Sequence, residues 1–172
     1  MKKLLTILSI LIIWALTNAP VSRGQNLDTP SAQLKTNEPV VDNRPQILKE
    51  YLGNFNSPLV DYADEFIKAA DAYNLDWRLL PAITGVESTY GKFIPRGSYN
   101  AYGWNNGAFY FQSWEDSIWI VNKALKEKYV NRGANTVDKI GRIYAPPSPF
   151  WAGKVKRIMA KIDSEPQFSF DL

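Results

Sequence analysis

Apolar side chains recur at helical spacing from Ser57 to Asp163. The first such face comprises Leu59, Tyr62, Ala63, Phe66, Ala70 and Tyr73, and the last comprises Trp151, Val155, Ile158, Met159 and Ile162. Residues three or four apart lie on one side of a helix, so each face is expected to be buried against its neighbours. With 45% hydrophobic residues and no cysteine, the chain has enough apolar residues for a core and cannot form disulfides. The sequence predicts a small, mainly α domain.

Start and stop signals divide this region into five helices. The first helix begins at Ser57 and Pro58 and runs to Tyr73, and the second is capped by Asp76 and runs from Trp77 to Glu87. The third begins at Ser113 and Asp116 and runs to Tyr129, before Gly133. The fourth is capped by Thr136 and runs to Tyr144, and the last begins at Ser148 and Pro149. Between the second and third helices, residues 99–114 mix Asn and Gly with aromatic residues. This composition predicts a hairpin or a long loop, and a hairpin would make the fold α+β.

The N-terminus has the pattern of an export signal. Lys2 and Lys3 precede thirteen largely apolar residues, Leu4 to Leu16, and small residues follow up to Gly24. Thirteen residues are short for a bilayer span, which needs about twenty. We therefore expect residues 1–24 to be a signal peptide, either cleaved or kept as an anchor through residues 4–16. The protein is then periplasmic, in the cell wall or extracellular. The alternative is a short membrane helix with another role.

The remaining segments outside the helical region are polar. Residues 25–57 contain several Pro and Asn residues and no sustained period, which predicts a linker, with a short ordered piece at 46–52 that docks on the domain. The folded domain is expected at residues 58–163. A tail at 164–172 carries Phe168 and Phe170, and it either packs back on the domain or stays loose.

Composition excludes several kinds of chemistry. The chain has neither histidine nor cysteine, which removes Ser-His-Asp triads, Cys-His dyads and zinc sites built from these ligands. Any catalysis must therefore rest on carboxylates, tyrosine, lysine, hydroxyls or backbone groups. The formal net charge of +3 is too small to indicate a nucleic-acid partner. We expect no metal and no organic cofactor.

One glutamate ends an apolar helical run. In "AITGVESTYGKF", residues 82–93, Glu87 follows Ile83 and Val86 and precedes a turn at Gly91. Cleaving a glycosidic bond needs a proton for a poor leaving group, and an apolar neighbourhood can keep a carboxylic acid protonated to supply it. Glu87 is thus a candidate general acid. The alternative is an ordinary surface glutamate at a helix end.

Four segments, in this order, carry a resemblance to a known family. They are "VESTYG" at 86–91, "NAYGW" at 100–104, "FQSWEDSI" at 111–118 and "YAPPSPFWAGKV" at 144–155. Together they resemble the lysozyme superfamily, and more closely the bacterial cell-wall glucosaminidases, the mannosyl-glycoprotein endo-β-N-acetylglucosaminidase-like group. The resemblance covers about residues 76–162. It implies a lysozyme-like domain that cleaves the β-1,4 glycan strands of peptidoglycan, as a monomer.

The resemblance also implies further site residues. Tyr144 would face Glu87 and steady developing positive charge or place the substrate's N-acetyl group; the alternative is a core tyrosine. Asn100 would bind the acetamido group or stabilise its own turn, and Ser88 would contact a sugar or only end the helix. Tyr102 and Trp104 are candidates for stacking on sugar rings, although aromatic rings in this segment can equally pack the insertion onto the helices.

A second catalytic carboxylate is hard to find. Most glycosidases use two, yet no Asp or Glu lies between Ser88 and Trp114, and Glu115 and Asp116 are expected to start a helix. One carboxylate suffices if the substrate's N-acetyl group or its C6 hydroxyl acts as the internal nucleophile. The sequence therefore leaves open a glucosaminidase, a lytic transglycosylase that forms anhydro products, and a glycan-binding module without turnover.

Overall fold

The structure, a computed structural model, describes residues 41–164, which form a mainly helical unit. Its six α-helices are α1 (Arg44–Gly53), α2 (Ala63–Ala72), α3 (Leu79–Ser88), α4 (Trp114–Ala124), α5 (Val137–Tyr144) and α6 (Trp151–Asp163). The predicted signal peptide, most of the predicted linker and the tail after Ser164 lie outside the described residues. No helix within residues 41–164 is long and apolar enough to cross a membrane.

Helix α1 lies inside the segment predicted as a linker and corrects the boundary at residue 57. It packs against α2 and α6 through Leu48, Tyr51 and Leu52, which are 0%, 2% and 0% exposed. These positions, three and four apart, give the helix an apolar side that the Pro and Asn residues around it obscure in the sequence. The docking piece expected at residues 46–52 is therefore present, as part of a longer helix that belongs to the folded unit.

Helices α3 and α6 form the centre of the unit and run antiparallel. Glu87, at the end of α3, lies beside Trp151, at the start of α6, while Arg78, before α3, pairs with Asp163, at the end of α6. Gly85 permits the close approach, because a Cβ there would lie 2.9 Å from Ile158 Cδ1. This packing brings one end of α3 and one end of α6 to the same surface.

The predicted helix starts are confirmed where a hydroxyl side chain caps them. Ser113 Oγ accepts a hydrogen bond from the Asp116 N–H at 3.0 Å, and Thr136 Oγ1 accepts one from the Lys139 N–H at 3.3 Å. The first predicted helix instead starts later, at Ala63. Ser57 lies six residues upstream of that start, where its hydroxyl is bonded to the Tyr90 carbonyl at 2.8 Å.

The third predicted helix is continuous only to Ala124. A π-helical turn follows at Leu125–Tyr129, and a 3-10 turn at Val130–Arg132 leads to Gly133, which has a φ of +94°. The end at Gly133 agrees with the sequence analysis, because only glycine adopts this backbone conformation readily.

The insertion between α3 and α4 is a long loop. Within residues 41–164 the structure contains no strand, so the hairpin alternative and the α+β class that depends on it are wrong. One backbone hydrogen bond closes the loop, from the Phe111 N–H to the Ser98 carbonyl at 2.9 Å. Short backbone turns and side chains, chiefly Asn100 and the fully buried ring of Tyr102, hold the rest. Turns and side chains thus replace the ladder that a hairpin would supply.

Candidate functional site

Glu87 occupies the last turn of α3 and opens onto a cleft of about 510 Å³. The helix stops there because Thr89, Tyr90 and Gly91 all have left-handed backbones, with φ of +51°, +60° and +82°. This turn carries the chain away from the helix axis and leaves the Glu87 side chain half-buried at the edge of the cleft. Among the ion pairs within residues 41–164, none includes Glu87, so its carboxylate is not neutralised by a cation.

Trp151 holds one oxygen of this carboxylate. Its indole Nε1–H donates a hydrogen bond to Glu87 Oε1 at 2.6 Å, and the ring is only 3% exposed. The ring itself is wedged against α5, since a Cβ at Gly141 would lie 2.9 Å from Trp151 Cε3. The carboxylate is therefore fixed from the side of α6 by a donor that cannot easily move.

Gly103 lies against the other oxygen. A Cβ at this position would be 2.9 Å from Glu87 Oε2, and the residue has a φ of +65°. Both the backbone conformation and the space beside the carboxylate favour glycine here. At Gly103 the "NAYGW" segment thus contributes only backbone atoms to the surface beside the carboxylate.

Tyr144, at the end of α5, lies on the same cleft. Its ring stacks on Trp151, with centroids 5.1 Å apart and planes at 26°, and its hydroxyl donates to the Tyr102 carbonyl at 2.5 Å. Burial, and then the negative charge of Glu87, raise the pKa of Tyr144 well above its ordinary value. The phenol therefore stays neutral, and its O–H is used as a donor to the Tyr102 carbonyl, so its oxygen can offer only lone pairs to a ligand.

Ser88 and Tyr102 do not lie on the cleft surface, so their predicted contacts with substrate are corrected. Ser88 is 3% exposed, and its hydroxyl contacts the carbonyls of Thr84 and Ala101 and accepts from the Gly91 N–H. Tyr102 is fully buried, with its hydroxyl 3.1 Å from Ser117 Oγ. Burial raises its pKa. Both residues support the site from the protein interior and do not touch a ligand.

Asn100 lines the cleft, but most of the hydrogen bonds that its side chain can make are formed within the loop. Its amide donates to the carbonyls of Trp104 and Phe109 at 2.9 and 3.0 Å, and its oxygen accepts from the Trp104 N–H at 2.9 Å. Of the four bonds that an asparagine can make, one acceptor position is left. The structure thus favours the alternative in which Asn100 stabilises its turn.

Trp104 does not line the cleft that contains Glu87. It is half-buried and lines a second hollow of about 200 Å³, which shares Gly103, Asn106 and Tyr144 with the main cleft. An extended ligand that fills the cleft and passes Tyr144 would reach this indole. The structure therefore keeps Trp104 as a candidate binding residue.

Sequence reasoning missed two contributors. In the sequence, Trp151 is one more apolar residue on the face of α6, and Gly103 is one more turn glycine. Phe93, which the sequence places in the apolar neighbourhood of Glu87, is 75% exposed on the wall of the cleft. One sequence signal could have indicated the role of Trp151. Tyr144 and Trp151 are few residues apart in the proline-containing segment, so two aromatic rings come at the end of one helix and the start of the next.

The cleft offers one carboxylate and no metal site. Apart from Glu87, its lining consists of Phe93, Pro95, Asn100, Gly103, Asn106, Gly107, Tyr144, Ala145, Pro146 and Pro147. In the part of the chain that the structure describes, no group of three or more acidic, histidine or cysteine side chains could hold a metal ion. The arrangement can deliver or accept one proton next to a neutral phenol.

Comparison with known proteins adds no family to this description: no protein-family model matches the chain, and the search of curated proteins found no match.

Proposed function

We propose that this chain is an exported glycosidase with a lysozyme-like, α-rich domain that cleaves the β-1,4 glycan strands of bacterial peptidoglycan. The bond cut would be the one that follows N-acetylglucosamine, as in an endo-β-N-acetylglucosaminidase. One observation carries the proposal: a glutamate at a helix end, fixed by a tryptophan donor, shares a cleft of about 510 Å³ with a half-buried neutral tyrosine. The charged segment and apolar run at residues 1–24 support export.

Glu87 is assigned the role of acid and then base. It would protonate the glycosidic oxygen as the bond to the sugar carbon breaks, and later take a proton from the attacking water. With one carboxylate on the cleft, the nucleophile of the first step would be the carbonyl oxygen of the substrate's own N-acetyl group. Tyr144 would turn its lone pairs toward the cation that forms, since its proton is donated to the Tyr102 carbonyl.

The same observation favours a second candidate. A lytic transglycosylase also needs one carboxylate, because the C6 hydroxyl of N-acetylmuramic acid attacks in place of water and leaves an anhydro sugar. A module that binds glycan strands without cleaving them would also have this cleft. These candidates use the same residues. They differ in whether the glycosidic bond is cut and in the sugar end that the cut leaves.

Product analysis separates the three. Purified peptidoglycan is incubated with the protein, and the soluble fragments are examined by mass spectrometry with and without borohydride reduction. Fragments that end in a reducible N-acetylglucosamine support the glucosaminidase, and anhydro-muramic ends support the transglycosylase. Retention of the protein on insoluble peptidoglycan with no released fragment means that the module binds only, and the proposed activity is then wrong.

A further inference from the structure

Trp151 contacts Glu87 in a way that distinguishes the two carboxylate oxygens. The indole N–H lies 2.6 Å from Oε1, and an indole can only donate a hydrogen bond. Oε1 must therefore be an acceptor both when Glu87 is ionised and when it is protonated. Since the carbonyl oxygen of a carboxylic acid is a better acceptor than its hydroxyl oxygen, this contact favours the acid form in which the proton sits on Oε2.

Oε2 is the oxygen next to the open part of the cleft. It lies against Gly103, where a Cβ would come within 2.9 Å, and Gly103 forms part of both the main cleft and the hollow that contains Trp104. A proton on this oxygen faces the space in which an extended ligand would lie. A proton on Oε1 would instead be directed at a buried ring.

The orientation of the indole is set by its surroundings. Trp151 is the first residue of α6, stacks on Tyr144, and packs on Gly141 of α5, where a side chain would collide with its ring. The same ring therefore fixes the carboxylate and supports the tyrosine that lines the cleft with it.

We infer that Trp151 is a positioning residue that directs the reactive proton of Glu87 to Oε2. The inference rests on the proposed function for its kinetic consequence, although the hydrogen bond can be tested without any activity. Trp151 touches no reacting atom; it acts through the carboxylate.

The kinetic test replaces the donor and keeps an aromatic ring. In Trp151→Phe we expect kcat on peptidoglycan fragments to fall about tenfold with KM within about twofold, because the carboxylate loses its fixed orientation. A residue that only fills space would change the free energy of unfolding and leave the ratio of kcat to KM in place.

Trp119→Phe is the matched control. Trp119 also donates its indole N–H to a carboxylate, Glu65 Oε2 at 3.0 Å, and it lies on α4, away from the residues that line the cleft. This variant loses the same kind of bond and should keep the wild-type kcat and KM. If Trp151→Phe has the kcat and KM of the wild type, the inference is wrong.

A second measurement needs no substrate. The chain has six tryptophans, so a 15N–1H spectrum contains a small set of indole signals, and that of Trp151 can be assigned through its contact with the Tyr144 ring. We expect this signal to shift with pH in a single step, and the step to vanish in Glu87→Gln. An indole signal that neither responds to pH nor changes in Glu87→Gln overturns the inference. If the wild type cleaves no glycan, the proposed function fails while this spectrum still decides the role of Trp151.

Discussion

Gly103 is the residue whose missing side chain matters most to the proposed site. Its φ of +65° would strain any other residue, and a Cβ there would come within 2.9 Å of Glu87 Oε2. The contact is with the end of a flexible side chain, so the carboxylate can move away, but only by leaving the position in which Trp151 holds it. A substitution here should therefore disturb activity more than stability.

We predict that Gly103→Ala lowers glycan cleavage by about tenfold to a hundredfold, because a displacement near 1 Å can cost that much. Gly97→Ala is the control. Gly97 has a similar φ of +73° with nothing within 4 Å of the added Cβ, so it imposes the same backbone strain of about 1–2 kcal/mol without touching Glu87. Cleavage rates and urea unfolding of both variants check this. Equal losses of activity would show that backbone strain alone explains the effect.

At the same scale, the sequence predicts Glu87 and Tyr144 as site residues, and the structure has them on one cleft, but for several neighbours it left a binding role and a structural role open. A polar residue next to a candidate acid looks like a ligand contact, yet Ser88 is turned inward to bind the Ala101 carbonyl. Asn100 and Tyr102 likewise hold the loop. Spacing along a chain does not reveal which polar groups a loop without strands must use to satisfy its own backbone.

Among the helices, the antiparallel packing of α3 on α6 creates the site by bringing Glu87 to Trp151. Gly85 makes that packing possible, because a Cβ there would lie 2.6 Å from Tyr90 Cε1 as well as 2.9 Å from Ile158 Cδ1. The Tyr90 ring cannot easily move, since it is 5% exposed and its hydroxyl is 2.8 Å from that of Tyr51.

We predict that Gly85→Ala lowers the free energy of unfolding by about 1–3 kcal/mol through overpacking. Gly153→Ala on α6, where nothing lies within 4 Å of the added Cβ, should instead raise it by about 0.5–1 kcal/mol, because alanine favours a helix over glycine. Urea denaturation of the two variants measures both changes. Stabilisation by Gly85→Ala would mean that α3 and α6 do not pack this closely.

The starts of α4 and α5 were predictable, because the side chains of Ser113 and Thr136 cap them. Helices α2, α3 and α6 start without a side-chain cap, and their starts lie further along the chain than predicted. The full extent of α1 was not predictable, because it depends on burial of Leu48 and Leu52 against other elements. The π-helical turn at Leu125–Tyr129 has no sequence signal that we recognise.

For the molecule as a whole, Tyr102 and Tyr144 near the site make the free energy of unfolding depend on pH in the alkaline range. Burial raises the pKa of Tyr102 and of Tyr144, so the folded state keeps both phenols neutral where the unfolded chain would ionise them. The stability that they contribute is therefore complete below about pH 10, the ordinary tyrosine pKa, and is lost as the pH rises above it.

We predict that the urea midpoint of the wild type falls between about pH 8 and about pH 11, and that it falls less in Tyr102→Phe, which has one ionisable phenol fewer in the core. Ser117 keeps a hydrogen bond to the Trp114 carbonyl in that variant, so the fold should tolerate the change. The same pH dependence in both proteins would show that Tyr102 does not resist ionisation in the folded state.

The most direct test of the central claim is cleavage of purified peptidoglycan by Glu87→Gln beside Glu115→Gln. Both variants replace one carboxylate with an amide, but Glu115 is exposed at the start of α4 and does not line the cleft. Glu87→Gln should keep the wild-type free energy of unfolding to within about 1 kcal/mol and lose activity by at least about a hundredfold, while Glu115→Gln should stay active. Undiminished release of glycan fragments by a folded Glu87→Gln protein would contradict the account.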